Sequence, residues 1–229
     1  MSAPASLSRR GSHTRARILE AAEALFAERG FDATRLEDVA ERVGIRRASI
    51  VYHFRDKREL YDAVLDGVFG DFRARLAAVL EAPGPLLARV EAAIAAWVDY
   101  VGARPSLARL LLREVAGAGD GAPPPLVAHL GPFFELIERV AGQRRGLPAP
   151  PIDPVHLAST IAGATVFFVA AMPALIPGLG FDPLRPDQLE SHKREVLRIA
   201  RRLLARDAER AAPSPWRRTR QPTRGEEIR

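Results

Sequence analysis

The chain has 229 residues, 47% hydrophobic and 27% charged, which suits one modest domain plus a smaller module and excludes wholesale disorder. With no cysteine, disulfides, thiolate metal sites and cysteine nucleophiles are excluded. The net charge of +6 is uneven, +3 over residues 1–60, zero over 61–205 and +3 over 206–229. Arg46, Arg47, Arg55, Lys57 and Arg58 stand against the single anion Asp56, a basic patch of the kind polyanions select.

Residues 1–12 read as a flexible amino-terminal arm; Arg9 and Arg10 are followed by no apolar run of signal-peptide length, so a cytoplasmic setting is expected. From Thr14 to Arg29 the apolar residues Ile18, Ala21, Ala22, Leu25 and Phe26 share one helix face, and Gly30 ends it. Thr34 and Glu37 have the spacing of a capping box, ahead of a short helix carrying Leu36, Val39, Ala40 and Val43 that stops at Gly44. A third rhythm runs through Ile45, Ile50 and Phe54. Asp56 and Glu59 make another capping box, opening a helix that lasts to Pro83-Gly84-Pro85. Prolines and glycines then separate helices expected at about 85–103, 105–116, 124–144, 154–175 and 186–209. No stretch alternates with period two, so the fold class is all-α: a helix-turn-helix three-helix domain over 13–60, a larger helical effector-binding and dimerisation domain over 61–210, and a basic disordered tail over 211–229.

Leu157 to Pro177 holds no charged residue and is long enough to span a bilayer. Ser159, Thr160, Thr165 and two prolines dilute it, and we read it as a buried helix, covered by the core on one side and a partner subunit on the other.

Leu36 to Phe54 has the layout of a helix-turn-helix, whose second helix enters the major groove of double-stranded DNA. Arg46 and Arg47, at the start of that helix, suit phosphate or the O6 and N7 of guanine. Ser49 suits a phosphate, Tyr52 and His53 offer ring surface with a polar tip, and Lys57 begins the next helix, where free backbone N–H groups also favour phosphate.

Gly30-Phe31-Asp32-Ala33-Thr34, Val39-Ala40, Val43-Gly44-Ile45 and Ser49 to Lys57 resemble the amino-terminal domain of the tetracycline-repressor (TetR) family over about residues 12–62. The resemblance implies a homodimeric regulator, with a small-molecule pocket in its carboxyl-terminal domain. It implies Arg47 and Ala48 at base-facing positions, Ser49 and Lys57 at phosphates, and Tyr52 and His53 facing the groove. Arg35 stands where the family usually has a small hydroxyl residue, adding a candidate phosphate contact; Val51 replaces a frequent aromatic.

In the larger domain Trp97, Tyr100, Leu111, Phe133, Phe134, Phe167 and Phe168 are candidates for a mostly apolar effector site, with Glu114 and Arg113 as polar groups. Leu189, His192, Val196, Ile199 and Leu203 form a heptad-like stripe, expected to be half of an intersubunit four-helix bundle. No metal site, cofactor or catalytic residue is expected: the five histidines are scattered, and Asp153, His156 and Ser159 lie along one helix rather than converging. The expected function is an effector-released repressor acting on a palindromic operator. A DNA-binding architectural protein without ligand, or a helical enzyme, is the alternative.

Overall fold

The computed structural model describes residues 4–117, 126–142 and 153–205, so the expected tail lies outside the described residues. Helix α1 spans Pro4–Ala33, α2 Leu36–Val43, α3 Arg47–His53, α4 Lys57–Leu80, α5 Leu86–Ala103, α6 Pro105–Gly117 and α7 Leu126–Gly142. Helix α8, Pro154–Val166, passes through a widened π turn at Phe167–Ala171 into the single turn α9, Met172–Leu175, and α10 covers Pro186–Ala205. The described residues contain no strand.

Helix α1 begins earlier than expected. From Pro4 the presumed arm forms its first turns, since proline is favoured at a helix start and Ala5 to Arg10 contains no breaker. Its far end matches the reading: Gly30 takes φ 83° and ψ 173°, open to glycine alone at no steric cost.

The expected capping box at Thr34 and Glu37 is not formed. Thr34 is fully buried, and its hydroxyl turns back to donate to the Gly30 carbonyl at 2.7 Å, with the Leu25 carbonyl 3.3 Å away. The buried hydroxyl is thereby satisfied by α1 and is not available to cap α2. The cap of α2 is one residue later: Arg35 is the N-cap, and its backbone N–H donates to Asp38 Oδ2 at 3.0 Å. Gly44 closes α2 in the left-handed conformation, φ 73° and ψ 39°, which turns the chain into α3. The second predicted cap is present, with Glu59 N–H donating to Asp56 Oδ1 at 2.8 Å.

Ile18, Ala22, Phe26, Val39, Ile50, Phe54 and Leu60 are buried and join the small domain to one continuous core. The expected boundary between residues 60 and 61 falls inside α4. Tyr61, just beyond it, packs edge-on to Phe26 with ring centroids 4.8 Å apart. In the larger domain α5 packs on α4, α6 lies on α1, α7 covers α4, and α10 packs on α5 and α8.

Candidate nucleic-acid interface

Helix α3 is two turns long, and Ile50 at its centre is fully buried while Phe54 follows it as a buried C-cap. Those two side chains fix the helix against α1 and α2, leaving the opposite side to solvent. Arg46, Arg47, Ala48 and Val51 are exposed, Ser49 and His53 are partly exposed, and Tyr52 is 85% exposed. A large aromatic in that much water on a rigid helix suits a partner surface better than a core. Tyr52 and His53 pack edge-on, ring centroids 5.1 Å apart. Arg35 is exposed at the N-cap of α2.

Two cations are already engaged. Arg47 Nε pairs with Glu37 Oε1 of α2 at 2.8 Å, both side chains being more than half exposed. Lys57 Nζ donates to the carbonyls of Phe31 and Asp32 at 2.7 and 3.2 Å and sits 4.3 Å from the Phe31 ring centroid. Lys57 therefore ties the start of α4 to the end of α1 beyond Gly30, a structural task its sequence position did not disclose. Arg17 and Arg15, outside the expected set, brace the same unit: Arg17 donates to the Val43 carbonyl at 2.7 Å, and Arg15 lies 4.9 Å from the Phe54 ring centroid. The capacity of this surface is electrostatic and shape-based: cations, a hydroxyl and amphipathic rings on a helix narrow enough for a major groove.

The candidate effector residues do not form one site. Trp97, Tyr100 and Phe133 gather around Phe72, whose centroid lies 4.9, 5.2 and 5.4 Å from theirs. All four are buried, and Trp97 Nε1 has no hydrogen-bond partner there. Phe134 and Leu111 are partly buried. Phe168 instead stacks on His192 at 4.1 Å, while Phe167 is 48% exposed. Arg113 and Glu114 do not pair or face the cluster. Arg113 donates to the Ala27 carbonyl at 3.0 Å and to that of Glu28. Glu114 accepts from the Tyr61 hydroxyl, and burial together with that carboxylate holds the phenol well above its ordinary pKa. Two surface hollows exist elsewhere: about 610 Å³ between α4 and α7 beside Arg73 and Arg139, and about 210 Å³ beside Phe181 and Arg185. Neither is lined by any candidate.

The stripe on α10 also differs from its expected use. Val196 is 2% exposed, Leu189 packs on the protomer's own core against Gly102 of α5, and Leu203 is partly buried. His192 Nε2 lies 3.2 Å from Thr165 Oγ1 of α8. Because the Thr165 hydroxyl donates to the Ile161 carbonyl at 3.1 Å, the imidazole is the donor to Thr165. Burial lowers the pKa of His192. Among the five, Ile199 is the most exposed, at 47%. The heptad spacing marks a buried face, but that face serves α5 and α8 of the same chain.

Residues 18–64 match the model for bacterial regulatory proteins of the tetR family. The transcriptional regulator RutR of Escherichia coli K12 is 32% identical over 160 residues, covering 68% of this chain and 74% of RutR. The chain belongs to the TetR family. It is a helix-turn-helix DNA-binding transcriptional regulator. Solved structures agree on the fold. The ketosteroid regulator KstR2 of Mycobacterium tuberculosis has a TM-score of 0.63 at 22% identity, covering 81% of this chain and 92% of KstR2. AibR, solved with isovaleryl coenzyme A and operator DNA, has a TM-score of 0.62 at 17% identity, covering 81% of this chain and 97% of AibR.

Proposed function

We propose that this TetR-family regulator is a cytoplasmic, homodimeric repressor that binds an inverted-repeat operator through α3 and is released by a mostly apolar or amphipathic small molecule. The carrying observation is the contrast across α3: Ile50 fully buried, Tyr52 85% exposed, and Arg46, Arg47 and Ala48 in solvent at its start. A rigid amphipathic helix of this kind is a reading head. Base contacts fall to Arg47 and Ala48, groove contacts to Tyr52 and His53, and phosphate contacts to Arg35, Arg46 and Ser49. Lys57 adds its positive charge close to the backbone.

The dimer is supported by α8. Ser159, Thr160, Gly163 and Ala164 of α8 and Phe167 just after it are exposed, and in the apolar segment Pro154–Leu175 only Ile161, Thr165, Val166 and Val169 are buried within the protomer. A second copy laid across α8 and the Ile199 side of α10 covers those exposed residues and sets two α3 helices in two-fold relation. The effector is supported by the Phe72, Trp97, Tyr100 and Phe133 cluster with its unpartnered indole N–H, and by AibR, a structural neighbour that carries an acyl-coenzyme A together with its operator.

Selection from a random DNA pool, followed by footprinting, tests the reading. A palindromic site with two protected half-sites is expected. Recovery of sequences without dyad symmetry would remove the dimeric repressor model.

A further inference from the structure

We propose that Arg104 is the positioning residue that couples the aromatic cluster of the larger domain to α1 of the DNA-binding unit. The proposal rests on the effector-responsive reading above and adds to it the route by which cluster and DNA surface communicate. Arg104 sits between α5 and α6, as the C-cap of α5 immediately before Pro105. Its guanidinium is shared between two structures. On one side Nε donates to Glu23 Oε1 of α1 at 2.8 Å, and Nη2 donates to Glu23 Oε2 in a two-pronged ion pair. On the other side Nη1 donates to the Tyr100 hydroxyl at 3.1 Å, with Asp71 of α4 at 3.5 Å.

Tyr100 extends the connection. Its hydroxyl donates to the Val68 carbonyl of α4 at 2.7 Å, and its ring lies against Phe72, which also touches Trp97 and Phe133. Glu23 closes the other end: it also accepts from Ser106 of α6, and its side chain is only 12% exposed. A planar guanidinium holds its donors in one rigid fork, so a shift at Tyr100 and a shift at Glu23 cannot occur independently. The low exposure of Glu23 keeps the pair from being screened like a surface contact. A shift of the cluster at Tyr100 is thereby passed to α1, the helix against which α2 is packed.

Coupling between sites is reciprocal, so DNA itself can serve as the probe. The full chain carries two tryptophans, and Trp216→Phe leaves Trp97 as the reporter inside the cluster. Titration of this parent with the selected operator duplex is expected to change Trp97 emission with the same midpoint as DNA anisotropy, and a scrambled duplex is expected not to. In the Glu23→Gln, Arg104→Met double variant, which removes the fork without leaving a lone buried carboxylate, the emission change falls at least about fivefold while the operator midpoint stays within about threefold. Tyr100→Phe retains the Arg104–Glu23 pair and is expected to lose the emission change as well, an outcome that a merely stabilising ion pair does not predict. Arg104→Lys, with a point charge in place of the fork, gives an intermediate amplitude; a thermal melt by circular dichroism confirms that each variant is folded. Full emission amplitude in folded double variant and folded Tyr100→Phe overturns the proposal, as does a parent that binds operator tightly with no change at Trp97. A parent that prefers no duplex overturns the DNA-binding reading instead.

Discussion

Arg47 of the recognition helix and Glu37 of α2 form an ion pair at 2.8 Å across the turn between the two helices. Arg47 is the candidate base-reading cation, so DNA must compete with Glu37 for it. Arg47→Ala is expected to cost about 1–3 kcal/mol of operator binding and to relax base preference. Glu37→Gln is expected to tighten binding by no more than about 1 kcal/mol, since an exposed pair is worth little. Anisotropy titrations of operator and scrambled duplexes at several salt concentrations measure both.

Lys57→Met should have two effects. Loss of the two carbonyl contacts and the Phe31 ring contact is expected to lower unfolding stability by about 1–2 kcal/mol. Removal of a cation near the backbone should also weaken all DNA sequences alike and flatten the salt dependence. Urea unfolding and salt titration separate the two, and an unchanged unfolding midpoint would show that the contacts to the end of α1 carry no net stability.

Val196 and Ile199 lie close together on α10 but differ in surroundings, at 2% and 47% exposure. Val196→Glu buries a carboxylate in the protomer's own core and should cost more than about 3 kcal/mol, unfolding the chain rather than dissociating it. Ile199→Glu combined with Phe167→Glu should leave the helical signal intact and convert dimer to monomer. Light scattering beside circular dichroism distinguishes these outcomes.

Protonation of His192 should weaken the fold. Its neutral ring stacks on Phe168 and donates to Thr165, and burial holds its pKa below the ordinary 6.5. Between the lowered folded value and 6.5, the unfolded chain binds the proton more readily. Stability is therefore fully present above pH 6.5 and declines as pH falls through that window. His192→Gln should remove this part of the acid sensitivity, read as a smaller change in melting temperature with falling pH.

The amino-terminal helices were legible because their signals are local: the apolar face from Ile18 to Phe26, the turn at Gly44 and the cap at Asp56 each lie within a few residues of what they control. Thr34 was misread because a threonine three residues before a glutamate has the same spacing whether its hydroxyl caps α2 or returns to α1. The full burial of Thr34 within reach of the Gly30 and Leu25 carbonyls decides for the second. The stripe on α10 showed that one face is buried but not what buries it. Glu23 was not foreseen at all, because its partner Arg104 is 81 positions away and no periodicity connects them.

The passage of α4 through the expected domain boundary bears on the construction of hybrid repressors. A DNA-reading head cut from this chain at residue 60 would leave behind Tyr61, Val64 and Leu65, buried side chains of the continuous core. A transplanted head needs α4 at least through Leu65, and it arrives with Tyr61 oriented for a carboxylate at position 114. Modular exchange in this protein is thus governed by two helices, α4 and α6, whose matching surfaces must be moved together.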